Sequence, residues 1–139
     1  YEIDPFDHND YSKASITFGP LISREQRDRV ATFNEMVRKD KDAAVLWDGG
    51  MPAKAGWFLK PFVYRTEWRD VPYLKQEVFG PHVALIPFRT DEEAVRIANS
   101  TEYGLSMAVI SESYRKLRYF RDECEFGMGY ANLPCIGAE

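Results

Sequence analysis

With 139 residues the chain has the length of one domain, enough to bury about two-thirds of its unfolded surface, and 45% hydrophobic with 14% aromatic residues excludes disorder. Eighteen Lys plus Arg against 22 Asp plus Glu leave a formal charge of -4, which argues against a phosphate-neutralising surface and hence against nucleic acid as a partner. Cys124 and Cys135 are too few for a disulfide scaffold, and no apolar run approaches the ~18 residues a bilayer requires, so the expectation is a cytoplasmic chain outside the membrane. It starts without Met or a basic leader and stops at Gly137-Ala138-Glu139 after an apparent loop, so a piece of a longer protein is expected.

In chain order, residues 1–22 read as a polar entry segment, because Asp4-Pro5 and Gly19-Pro20 break any continuous helix; it either connects or pairs at an edge. Ser23 with Gln26 forms a capping box, and Val30, Phe33 and Val37 repeat at helical spacing, which predicts a helix from about Arg24 to Lys39. Ala43 to Trp47 is a short apolar strand closed by Asp48-Gly49-Gly50. A second strand is expected between Gly56 and Tyr64, with Pro61 at a bulge or edge, followed by a mixed crossing segment from Glu67 to Lys75. His82 to Phe88 is the most continuously apolar run and predicts a strand buried on both faces at a sheet centre.

Thr90 and Glu93 cap the next helix, whose inner face is Ala94, Val95, Ile97 and Ala98 before Asn99-Ser100 stops it. A strand at Met107 to Ile110, a helix with Tyr114, Leu117, Phe120 and Cys124 on its apolar face, and a last strand at about Met128 to Asn132 complete the chain. Strands alternating with helices predict a single α/β domain, a largely parallel open sheet flanked by helices.

Few residues are candidates for chemistry. His8 and His82 lie far apart without further ligands at metal spacing, no Gly-x-Ser-x-Gly elbow occurs, and Cys124 falls on an apolar helix face. Gly127 and Gly129 precede a strand, whereas a dinucleotide fingerprint follows one. The stretch Lys75-Gln76-Glu77-Val78-Phe79-Gly80-Pro81 differs: it sets a carboxylate and an aromatic ring in a Gly-Pro turn just before the central strand, and loops at strand ends are where α/β folds put ligands. Glu77 could accept both hydrogens of a ribose diol and Phe79 could pack on a flat heterocycle, although spacing alone also fits a plain surface loop.

Gly19-Pro20-Leu21-Ile22, Gly49-Gly50, Gly56-x-Phe58-x-x-Pro61, Gln76-Glu77-Val78-Phe79-Gly80-Pro81, Asn99-x-x-x-Tyr103-Gly104-Leu105, and Gly129 with Asn132 occur in an order that resembles the NAD(P)-dependent aldehyde dehydrogenase superfamily over about Pro5 to Glu139. The resemblance implies the C-terminal portion of a catalytic domain in an oxidoreductase that oxidises an aldehyde with NAD or NADP, as a homo-oligomer. It implies that Glu77 bonds the nicotinamide-side ribose and that Phe79 packs beside it. The family's nucleophilic cysteine, general-base glutamate, oxyanion asparagine and Rossmann glycines precede the matched region, and its oligomerisation strand follows it. Neither Cys124 nor Cys135 aligns with the nucleophile, so the chain alone is expected to be inactive. The end, Asn132 to Glu139, resembles an aldehyde-anchor loop in which Gly137 and Ala138 amides hold the carboxylate of an amino-acid semialdehyde. Departures are Gln76 where Glu is common, Phe62 where Thr is usual and His82 where Val is usual. A non-catalytic binding or assembly module of the same fold, and a CoA-acylating relative, remain as alternatives.

Overall fold

The computed structural model describes residues 19–53 and 55–135. The entry segment up to residue 18, and Gly137 and Ala138, lie outside the described residues. The chain divides after Ile86 into two compact units.

In the first unit, α1 (Arg24–Lys39) runs over the predicted span. The Ser23 hydroxyl accepts the Gln26 amide at 3.1 Å, Arg38 and Lys39 lie in the last turn where the helix dipole favours cations, and Val30, Phe33, Asn34 and Val37 form the buried face. Strands β1 (Ala43–Asp48) and β2 (Phe62–Thr66) pair antiparallel, and β3 (His82–Leu85) adds to β2 in parallel after the short helix α2 (Pro72–Lys75). The sheet order is β1-β2-β3. Pro61, expected at a bulge or edge, lies just before β2 begins, and the sheet's irregularity is in β1, where Leu46 is the extra residue between Val45 and Trp47. Gly49 continues the pairing beyond β1 by donating to the Pro61 carbonyl at 3.1 Å; a Cβ there would lie 2.3 Å from the Lys60 Cβ, so only glycine allows that approach.

β2 alternates buried and less buried residues, with Phe62, Tyr64 and Thr66 turned to the core. Phe62 and Tyr64 are fully buried and join Val30, Phe33, Val37, Leu59, Tyr73 and Val78 in one cluster. The sheet centre is therefore β2, which corrects the expectation for the 82–88 run. Among the described residues β3 stops at Leu85 and pairs with β2 alone, and Val83 and Leu85 are each 46% exposed. An all-apolar strand buries both faces only when layers cover both, and among the described residues one face of β3 has no such layer.

The second unit holds α3 (Asp91–Ala98), β4 (Ser106–Val109), α4 (Tyr114–Glu123) and β5 (Met128–Ala131). Thr90 caps α3 through the Glu93 amide at 3.1 Å, and the Glu93 carboxylate reaches back to the Arg89 amide at 2.8 Å. β4 and β5 pair in parallel around α4, and Asn132, at φ 56, ties their ends together by exchanging bonds with the Ser111 amide and carbonyl. On α4, Leu117, Phe120 and the capping Cys124 are half-buried as expected, but Tyr114 is 75% exposed. It opens the helix, one turn before the point where packing begins. The α/β class is thus observed, realised as two small sheets with two of three pairings parallel.

Candidate functional site

The Glu77–Pro81 turn lies between α2 and β3, and it is held from three sides. Upstream, α2 is fixed through Tyr73, whose hydroxyl donates to Asp40 Oδ2 at 2.7 Å while Arg69 Nη2 donates to the same hydroxyl at 2.9 Å. The Tyr73 bond, ahead of the Asp42 amide and the Arg69 guanidinium, holds the Asp40 carboxyl down to about 2. Burial, and then the bond to Asp40, push the Tyr73 hydroxyl up to about 12.

In the middle, the Gln26 side-chain amide of α1 donates to the Val78 carbonyl at 3.0 Å and the Phe79 carbonyl at 2.9 Å, and Arg29 Nη2 donates to the Glu77 carbonyl at 2.8 Å. Val78 is inserted into the core cluster, 8% exposed. Gly80 packs against Val30 so closely that a Cβ would lie 2.5 Å from Val30 Cγ2. Phe79 takes a left-handed backbone, φ 60, which a residue with a Cβ adopts at a cost of about 1 to 2 kcal/mol. Its neighbours' contacts over-determine that conformation.

Downstream, His82 starts β3. Its amide donates to the Gly80 carbonyl at 2.7 Å, and its ring lies 2.7 Å from Asn34 Oδ1 through Nδ1 and 3.1 Å from the Tyr64 hydroxyl through Nε2. The ring stacks on Phe62 with centroids 5.8 Å apart. Burial pushes the imidazole down to about 4, so it is neutral at ordinary pH; Nδ1 then carries the proton given to Asn34. Burial also raises the Tyr64 hydroxyl, which stays protonated and has two acceptors in reach, His82 Nε2 and the Tyr73 carbonyl at 3.3 Å.

Pinned this way, Glu77 and Phe79 both stay exposed, Phe79 by 70%, at the rim of an open concavity of about 350 Å³ lined also by Tyr64, Leu74, His82 and Ala84. A carboxylate and a bare ring on one rigid turn fit a ligand that offers hydroxyls beside a flat ring. The two sequence-predicted residues of this turn are therefore in one place. Gly137 and Ala138 lie outside the described residues. Cys124 is half-buried with its thiol pushed up by burial, and Cys135 is exposed. Among the described residues no cluster of three or more His, Cys, Asp and Glu could hold a metal ion. The sequence gives Gln26 a capping role alone, whereas its side chain serves the turn, and it singles out neither Arg29 nor Asn34. Their spacing places them on α1, but nothing in one sequence links α1 to a turn fifty residues later.

The described residues form an α/β layer that carries a rigid acidic-aromatic turn at the head of a parallel strand. The sequence pattern of the aldehyde dehydrogenase family matches residues 5–139, and the chain belongs to that family. It is 32% identical over 137 residues to a chloroplastic betaine aldehyde dehydrogenase of Atriplex hortensis, covering 96% of this chain and 26% of the relative. Among solved structures it resembles 1-pyrroline-5-carboxylate dehydrogenase from Thermus with bound NAD (TM-score 0.79, 28% identity, 87% of this chain and 23% of that one). It likewise resembles succinic semialdehyde dehydrogenase from Streptococcus pyogenes in complex with NADP+ (TM-score 0.77, 26% identity, 86% and 26%). The chain spans about a quarter of the length of the relatives it matches.

Proposed function

We propose that the chain supplies one wall of the cofactor site in an NAD(P)-dependent aldehyde dehydrogenase that acts as a homo-oligomer in the cytoplasm. The observation that carries this reading is the three-sided clamp on the 77–81 turn, which leaves Glu77 and Phe79 exposed on a fixed backbone. Glu77 would accept the hydroxyls of the nicotinamide-side ribose, and Phe79 would limit the sideways motion of the adjoining ring. The bound nicotinamide would supply the hydride acceptor. This chain's own part is positional: it fixes the ribose before reaction, so that little ordering is left to be done in the transition state. The nucleophilic cysteine, which would hold the aldehyde as a thiohemiacetal and, after hydride is lost to the nicotinamide, as a thioester, and the general base that would activate water against that thioester, would lie in segments outside this chain.

The substrate would be a small aldehyde, and the Gly137 and Ala138 amides would anchor the carboxylate of an amino-acid semialdehyde. Support for this comes from the 1-pyrroline-5-carboxylate and succinic semialdehyde dehydrogenases among the structural relatives. The test is Glu77→Gln in the full-length enzyme. Loss of one charged acceptor should lower turnover and cofactor affinity about tenfold, on the order of 1.4 kcal/mol, with aldehyde KM little changed. Unchanged cofactor kinetics would remove Glu77 from the ribose. Gly137→Val should raise KM for a carboxylate-bearing aldehyde more than for an aliphatic one; equal effects on both would remove the anchor.

A further inference from the structure

His82 is a titratable ring beneath the candidate site to which the proposed chemistry gives no task. It joins three elements at the point where the turn becomes β3: Asn34 of α1 at 2.7 Å, Tyr64 of β2 at 3.1 Å, and the Gly80 carbonyl through its own amide at 2.7 Å. Asn34 is 2% exposed and Tyr64 fully buried, so both anchors are rigid. Phe79 is three residues upstream in a left-handed conformation that relaxes unless both of its flanks are held. Gln26 and Arg29 hold the upstream flank through the carbonyls of Glu77, Val78 and Phe79. On the downstream flank Gly80 packs on the Val30 side chain and the Pro81 carbonyl accepts the Phe62 amide at 2.9 Å, and His82 adds the polar side-chain hold that ties the flank to both α1 and β2.

We infer that His82, locked between Asn34 and Tyr64, is a positioning residue for the cofactor: it holds the end of the turn so that Phe79 keeps its left-handed backbone and Glu77 and Phe79 face the ligand together. The inference rests on the cofactor reading of Glu77. A histidine packed only for stability would support the whole unit and affect cofactor and aldehyde alike. A positioning residue affects the cofactor selectively, because the turn is the part of the structure that relaxes.

The experiment uses the full-length enzyme with NAD and NADP as probes and compares His82→Gln, His82→Val and the pair Asn34→Leu with His82→Val. His82→Val alone strands the buried Asn34 amide, and the paired variant removes that amide as well, so it keeps the fold testable. Both His82→Val and the paired variant should raise the cofactor dissociation constant about tenfold and leave aldehyde KM within about twofold. His82→Gln, whose amide can reach one of the two partners, should recover most of the loss. Amide exchange of the peptide containing residues 77–82 should quicken in the paired variant before cofactor is added. The inference is overturned if cofactor and aldehyde constants move together, if cofactor affinity is unchanged, or if exchange of 77–82 stays at the native rate. Glu77→Gln, measured alongside, separates the two readings: if it too leaves cofactor binding intact, the ribose assignment fails, whereas if it alone weakens binding, only the role of His82 falls.

Discussion

At the scale of single residues, His82 and Asp40 write a pH dependence into the first unit. The folded imidazole titrates near 4, below the ~6.5 of an unfolded chain, so between those values the unfolded state binds the extra proton. Stability is therefore complete above about pH 6.5 and declines as pH falls toward 4. The full difference corresponds to about 3 kcal/mol, which solvent screening of a half-buried ring reduces to about 1 to 2. Asp40 adds a second decline, below about pH 4, because its carboxyl must be protonated against the Tyr73 and Arg69 bonds that hold it at about 2. Urea unfolding from pH 7 to 3, followed by a probe of the first unit, should show both limbs; His82→Gln should flatten the upper one and Asp40→Asn the lower. A single decline below pH 4 in the native protein would show that the ring is solvated. The acidic-aromatic turn was legible in the sequence because Gly80-Pro81 marks a turn just before an apolar run and sets Glu77 and Phe79 within it. The histidine below was not, since burial and partners decide whether a lone His is a ligand, a switch or a brace.

At the scale of elements, α1 is a template for the turn. Its first three turns present Gln26, Arg29, Val30 and Asn34, each of which touches a residue between 77 and 82. Gln26→Ala removes two long-range bonds and leaves the Ser23 cap, which uses only the residue-26 backbone amide. The expected cost is about 1 to 2 kcal/mol, felt as faster exchange of the turn amides and not as fraying of α1. Exchange that quickens along α1 instead would assign the loss to the cap. Gly80→Ala drives a methyl into Val30 and should destabilise by about 1 to 3 kcal/mol, and Val30→Ala should relieve part of that, so the double variant is less damaged than the sum. Simple additivity would mean that the backbone shifts to absorb the methyl. Helix spans were readable from caps and periodicity, and α1 and α3 fall where Ser23 and Thr90 place them. Strand order was not. The 82–88 run is as apolar as a central strand, but which strand is central depends on how many partners the sheet has, and that is a property of the fold and not of the segment.

At the scale of the whole molecule, the core is unevenly shared. Among the described residues all nine buried hydrophobic ones lie between Val30 and Val78, and neither α3 nor α4 has a buried residue. The second unit instead leaves Phe88, Tyr103, Leu105, Ile110, Tyr114 and Leu133 more than half exposed. Two strands and two short helices enclose too little volume to bury their own apolar faces. In the intact enzyme that we propose, those faces would meet the remaining three-quarters of the protein. The same argument predicts how the 139-residue chain behaves alone. Amides of β2 should be protected and those of β4 and β5 nearly unprotected, and the chain should bind an apolar dye that the full-length enzyme excludes. Hydrogen exchange read by mass spectrometry separates the units directly. Equal protection of residues 62–66 and 106–131 in the isolated chain, without dye binding, would mean that the second unit closes its own core, and the non-catalytic module would then be the better account of this sequence.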